Sequence, residues 1–267
     1  MNTWAVANQK GGVGKTTTAV SLAGWLILRK QRTLLVDLDP HASLTSYFGL
    51  DPENLPGSVY DLFGEDGAAD ARRLILETQE EGLDLLPAEP AMATLDRQLG
   101  SRQGQGLVVS QALQAVAGSY DRVILDCPPT LGVLMVNALA AASKVIVPTQ
   151  TEYLALKGLK RMSRTLEMIN HSRGEMLPHL VVPTIFDRRT RASIRVLRQL
   201  REDYEDVLWE QVIPVDTQFR EASRQGRPLP CLDRGSRGAK AFKVLLDDLL
   251  ALEQERADEP AAEEASA

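Results

Sequence analysis

The chain has 267 residues, 44% hydrophobic and 25% charged, with two cysteines and a formal net charge of −6 at pH 7. This is the composition of a globular domain with a sizeable core, and it excludes a disulfide framework, a repeat architecture and a chain too polar to fold. Apolar runs such as Arg122 to Cys127 and Lys144 to Pro148 are strand-length, well short of the ~20 residues that span a bilayer. The N-terminus enters a strand pattern at once, without the basic and apolar regions of an export signal, so a cytoplasmic location is expected.

In chain order, β-rich runs at Trp4–Ala7, Thr33–Asp37, Leu83–Pro87, Arg122–Asp126, Lys144–Thr149, Leu180–Thr184 and Val207–Ile213 alternate with segments of helical period. The alternation predicts an α/β fold: one domain over residues 1–252, with a mostly parallel twisted sheet of about seven to eight strands and helices on both faces. After the first strand, Thr16 to Arg29 is predicted as a helix with Val20, Ala23, Leu26 and Ile27 on one face. The last helix, Ala239 to Leu252, places Phe242, Leu245, Leu246, Leu249 and Leu250 on one side, a stripe suited to packing on the sheet. A membrane-binding helix carries a basic polar face, whereas Asp247, Asp248 and the acidic end point away from any membrane partner. Residues 253–267 hold six acids and one arginine, and are expected to form a disordered tail. Lys157 to Lys240, by contrast, holds 17 Lys/Arg against 11 Asp/Glu, so a basic surface is expected in the C-terminal half.

The chemistry concentrates at three places. The run Asn8-Gln9-Lys10-Gly11-Gly12-Val13-Gly14-Lys15-Thr16-Thr17 lies between a predicted strand and a predicted helix, the context of a phosphate-binding P-loop. Gly11, Gly12 and Gly14 are the permissive positions that would let successive backbone N–H groups converge on phosphates, Lys15 would reach the β and γ phosphates, and the Thr16 hydroxyl would ligate Mg²⁺. The usual pattern has glycine where this chain has Gln9, and Lys10 adds a second lysine to the loop. Two carboxylates, Asp37 and Asp39, close the second strand, and Asp126 closes the fourth. Ligands of open α/β sheets bind at such carboxyl ends, so these acids are expected beside the loop.

Together these motifs resemble the ParA/MinD group of deviant-Walker ATPases, its ParA branch in particular, over about residues 3 to 250. The resemblance implies ATP and Mg²⁺ as ligands and slow, partner-stimulated hydrolysis. It implies that Lys10 is the signature lysine, reaching across an ATP-bound homodimer, and that Gly11 to Thr17, Val13 included, form the Walker A loop. Asp39 would orient the attacking water, Asp37 would lie near the metal, and Asp126 would be the Walker B acid holding Mg²⁺ through water. Pro214, Val215 and Asp216 would line the adenine pocket. Phosphoryl transfer needs mainly positioning and charge neutralisation, which suits these roles.

The same resemblance extends to the basic half. Asp187-Arg188-Arg189-Thr190 is similar to a segment of partition ATPases whose arginine, matched by Arg189, helps hold DNA without sequence preference. Arg191, Arg195, Arg198 and Arg201 follow at helical spacing, with no acid between Arg188 and Arg201. A competing reading makes this stripe a solvated face paired with Glu202, Asp203, Glu205 and Asp206. Departures from the partition pattern occur at Gln218, where a second DNA-contacting arginine is usual, with Arg220 two residues on, and at His41, where glutamine is usual. The wording around Asp216 is also similar to ParA-like proteins that position chemotaxis arrays. Function is therefore expected to be cargo positioning, of DNA with a centromere-binding partner or of an array with its adaptor, at the nucleoid or a pole. Other classes on the same fold are a metabolic or electron-transfer enzyme, such as a nitrogenase-iron-protein relative or an ATP-dependent ligase, and a MinD-like membrane ATPase.

Overall fold

A computed structural model describes residues 1–64, 70–99 and 105–264. Its sheet comprises β1 (Asn2–Val6), β2 (Thr33–Asp37), β3 (Leu76–Glu77), β4 (Leu83–Leu86), β5 (Arg122–Asp126), β6 (Lys144–Gln150) and β7 (His179–Thr184). The strand order is β3-β4-β2-β5-β1-β6-β7, and every pairing is parallel except that of β3 with β4. Parallel neighbours require crossovers, and helices supply them on both faces. The expected doubly covered α/β sheet is observed, with seven strands among the described residues.

Side-chain alternation sorts the strands into two cores. Ala5, Leu34, Val36, Val123, Leu125, Val145 and Val147 point to one face, where they meet Met135, Leu139, Leu159, Met162 and Leu166. Trp4, Val6, Leu35, Ile124 and Ile146 point to the other, against Leu22, Leu26, Phe242, Leu245 and Leu249. The first face is covered by the helices Val133–Ala141 and Tyr153–Arg173, the second by Lys15–Leu28 and Arg237–Glu264. A central strand buried on both faces has little polar alternation, which is why these strands read as continuous apolar runs.

Two expectations are corrected. Val207–Ile213 is not a strand: Glu205–Val207 is a 3₁₀ turn, and the segment meets the sheet edge through one isolated bridge, Leu208 to Val181, with Trp209 N to Val181 O (2.9 Å), and through Ile213 N to Pro183 O (2.8 Å). Trp209 and Ile213 are buried, while the intervening Glu210 and Gln211 are exposed, so the apolar run seats two anchors without forming a ladder. The boundary of the acidic tail also moves. The backbone stays helical to Glu264, and Glu253 is tied to the sheet: its carboxylate accepts from Trp4 Nε1 (2.6 Å) and pairs with Arg122 (2.6 Å), whose guanidinium stacks 4.6 Å from the Trp4 ring. Residues 265–267 of that expected tail lie outside the described residues. No helix among the described residues is long and apolar enough to cross a membrane.

Candidate active site

The chain leaves β1 over the carboxyl ends of its neighbours, held by Ala7 N to Ile146 O (3.0 Å) and Cys127 N to Val6 O (3.1 Å). Gly12 and Gly14 adopt φ of 76° and 89°, the left-handed region that side chains disfavour. Gly14 is the N-cap of Lys15–Leu28, and no side chain caps that helix start. The opening N–H groups and the positive end of the helix dipole are therefore directed to whatever occupies the loop. Thr184 Oγ1, at the end of β7, donates to Val13 O (2.8 Å) and pins the loop from outside.

The loop borders a cavity of about 620 Å³. Gly11, Gly12, Gly14, Lys15, Thr16 and Thr17 line it together with Asp39 and His41 from the segment after β2, and with Pro214, Val215, Asp216, Phe219 and Arg220. Residues about 200 positions apart in sequence thus share one opening, because β1 and β7 both end there. Val13 is buried beneath the loop, and Lys10, half-buried, does not line the cavity. Asp216 organises the far wall: its carboxylate accepts from Gln218 N (3.0 Å) and from Gly238 N (2.8 Å), which ties the segment to the start of the C-terminal helix.

Beneath the loop lie two buried acids. Asp37 and Asp126 are register partners on β2 and β5. The Thr16 hydroxyl donates to Asp126 Oδ2 (2.6 Å), and Asp126 Oδ1 is buried with no hydrogen-bond partner among the described residues. Desolvation raises the Asp126 pKa well above the carboxylate range, and the charge of Asp37 adds to the rise. Desolvation raises Asp37 too, against the hydrogen bonds from Thr45. Asp37 Oδ2 accepts from Thr45 N and Oγ1 (both 2.8 Å), and Oδ1 from Asp39 N (3.1 Å). Both Asp37 oxygens are thus committed to the chain that carries Asp39. Asp39 Oδ1 in turn accepts from His41 N (3.0 Å) and meets His41 Nδ1 (2.9 Å).

The arginines divide. Arg191, Arg195 and Arg198 are exposed on the helix Arg191–Asp203, whose other side buries Val196, Leu197 and Leu200. Arg189 makes a two-pronged ion pair with Asp187, Nε to Oδ1 at 2.9 Å and Nη2 to Oδ2 at 2.8 Å. Arg220 does not join this group at all: it lies on the rim of the P-loop cavity. His41, Phe219 and Thr184 belong to the site without having been assigned to it from sequence. The only sequence signal among them is His41, two residues after Asp39.

Known proteins resemble this chain. The AAA domain family matches residues 1–178. The sporulation initiation inhibitor protein Soj of Bacillus subtilis is 37% identical over 248 residues, 92% of this chain and 97% of that one. The chromosome partitioning protein ParA of Caulobacter vibrioides is 37% identical over 259 residues, 94% and 95% of the two chains. The chain belongs to the ParA-type P-loop ATPases. A solved structure described as cobyrinic acid a,c-diamide synthase of Mycobacterium smegmatis, with an ATP analogue and magnesium, is 37% identical and covers 94% of each chain at a TM-score of 0.79. An ATP complex of an McdA variant from Cyanothece has a TM-score of 0.82 at 20% identity, covering 94% and 96%, which speaks to the fold alone.

Proposed function

We propose that the chain is an ATP-dependent switch: it binds Mg·ATP in the 620 Å³ cavity, pairs with a second copy, hydrolyses ATP slowly under stimulation by a partner protein, and so positions a cargo. The carrying observation is that an uncapped helix start with two left-handed glycines opens on the same cavity as Asp39, directly above the Thr16–Asp126 hydrogen bond.

Each residue has a role consistent with its surroundings. The loop N–H groups and Lys15 hold the phosphates. Pro214, Val215 and Asp216 flank the base. Thr16 and the orphaned Asp126 Oδ1 fit a hydrated Mg²⁺, a hard cation that takes oxygen ligands and keeps several waters. Held there, such an ion would supply positive charge to offset the phosphates. Asp37, with both oxygens engaged, acts on the metal through its charge and sets the loop bearing Asp39. Asp39, one oxygen fixed by His41, presents the other to the attacking water. Lys10, off its own cavity lining, is directed to the partner's phosphates and makes hydrolysis depend on pairing.

The cargo reading favoured is DNA. Relatives bear the name of chromosome partitioning proteins, and Arg191, Arg195 and Arg198 present an exposed basic face suited to phosphates. A nucleoid-associated location follows from that reading. A chemotaxis array at a pole is the second reading, favoured by Gln218. Amide transfer, suggested by the name of one solved relative, finds no activated thiol in the chain: burial holds the Cys127 thiol well above its usual value and pushes Cys231 up to about 12.

The test is direct. Lys15→Ala is expected to abolish ATP binding, whereas Asp39→Ala is expected to bind ATP and accumulate as a dimer in light scattering. An Asp39→Ala protein that stays monomeric with saturating Mg·ATP would overturn the switch.

A further inference from the structure

The helix Tyr153–Arg173 runs for 21 residues with a single glycine, Gly158, in its interior. Glycine weakens a helix interior relative to alanine, so its presence there calls for a packing reason. The reason is the P-loop. Gly158 is buried, and a Cβ at that position would lie 2.7 Å from Lys10 Cβ and 3.2 Å from Asn8 Oδ1. The first of these atoms is fixed to the loop backbone, so it cannot give way as the tip of a lysine would.

The residue between them is held by the same helix. Gln9 Nε2 donates to Thr165 Oγ1 (2.7 Å), and Gln9 O accepts from Arg161 Nη2 (3.5 Å). Gly158, Arg161 and Thr165 are spaced three and four apart, along one helix face. Asn8 completes the seat from the sheet side, donating through Nδ2 to Pro148 O (2.8 Å). Three consecutive loop residues, Asn8, Gln9 and Lys10, thus each contact one helix face. Gln9 departs from the usual loop glycine, and its amide is what ties the loop to Thr165.

We propose that Gly158, Arg161 and Thr165 are positioning residues that fix the direction of Lys10: the close seat at Gly158 leaves the lysine stem one way to run, away from its own cavity. The proposal rests on the reading of Lys10 as the lysine supplied to a partner's nucleotide. A methyl group at Gly158 would displace the stem or lift the helix, while leaving the glycines, Lys15 and Thr16 where they are.

The experiment compares the full-length parent with Gly158→Ala, Thr165→Val, Lys10→Ala and the Gly158→Ala/Lys10→Ala pair. It measures ADP affinity, thermal midpoint, ATP-dependent dimerisation, kcat and KM. Gly158→Ala is expected to keep its ADP affinity, to lower its thermal midpoint while remaining folded, and to lose about tenfold or more in kcat and dimer formation, with no further loss in the double variant. Thr165→Val, which removes only the acceptor for Gln9, is expected to lose severalfold in the same two readouts, and it carries the test if Gly158→Ala fails to fold. If Lys10→Ala is inactive while Gly158→Ala and Thr165→Val both turn over like the parent, the seat is overturned and the role of Lys10 stands. If Lys10→Ala itself turns over like the parent, the trans lysine falls, and the seat with it.

Discussion

Asp37 and Asp126 occupy opposite register positions at the last residues of β2 and β5, so two buried carboxylates share the carboxyl edge of the sheet. Desolvation raises the pKa of both, and for Asp126 the charge of Asp37 raises it further. In the unfolded chain both titrate near the ordinary value of about 3.9. The ligand-free folded state therefore holds protons that the unfolded state has released over the range from about 4 to about 8, and stability drawn from this pair is full below that range and falls as pH rises through it. Asp126→Asn cannot ionise. Thermal melts of both proteins at about pH 5 and about pH 8 should show the variant gaining on the parent at the higher pH. Mg·ATP favours the ionised pair, so its stabilisation of the parent should grow in the same direction.

The Thr16 hydroxyl stands between the P-loop and Asp126. Thr16→Val keeps the shape of the side chain and leaves Asp126 with neither oxygen hydrogen-bonded, at a cost of about 1–3 kcal/mol to the folded protein. More diagnostic is the metal dependence of binding. The gain in ADP affinity on adding Mg²⁺, clear in the parent, should collapse in the variant, whereas metal-free ADP affinity should change little.

His41 contacts Asp39 through both its backbone N–H and its ring. Replacing the ring alone, in His41→Ala, leaves one of those two hydrogen bonds. Single-turnover measurements should show less than about a tenfold fall in hydrolysis, against about a hundredfold or more for Asp39→Ala. Equal losses would mean that the ring touches the reacting water itself.

The bidentate pair of Arg189 with Asp187 holds the guanidinium that the DNA reading requires, and it keeps the Asp187 carboxyl down at about 2. Asp187→Ala should release Arg189 and tighten ATP-dependent binding to random-sequence DNA. Arg189→Glu should abolish that binding at moderate salt. Arg198→Ala should lower the salt dependence of binding by roughly 0.9 for each phosphate that the arginine neutralises. Unchanged affinity in all three variants would make the arginine helix an ordinary solvated face.

Glu253 anchors the C-terminal helix to the indole of Trp4 and the guanidinium of Arg122. Glu253→Ala leaves an indole N–H unpaired and removes the ion-pair partner of a guanidinium that is 10% exposed, and should cost about 1–3 kcal/mol in denaturant unfolding. If the change is neutral, the helix is held by its apolar stripe alone.

Much of this architecture was legible in the chain. Doubly buried strands such as Val123-Ile124-Leu125 have no polar alternation to confuse their reading, and the glycine-rich loop needs a strand before it and a helix after it, which both run lengths supplied. The misreadings have physical causes as well. Trp209 and Ile213 look like a strand because both are buried, but burial of two anchors does not require a ladder between them. Glu253 looked like the start of a solvated tail because its partners, Trp4 and Arg122, lie more than a hundred residues away.

Composition, period and local motif determined the class of fold, the phosphate-binding loop and the strand-end acids, because those depend on backbone conformation and on burial that neighbours in sequence reveal. Only the tertiary structure decided which of the acids is orphaned and which is engaged, that Arg220 joins the cavity rather than the arginine face, and that Lys10 rests on Gly158. Those are contacts between elements far apart in the chain. They depend on how closely helices approach the sheet, and no periodicity along the sequence encodes that distance.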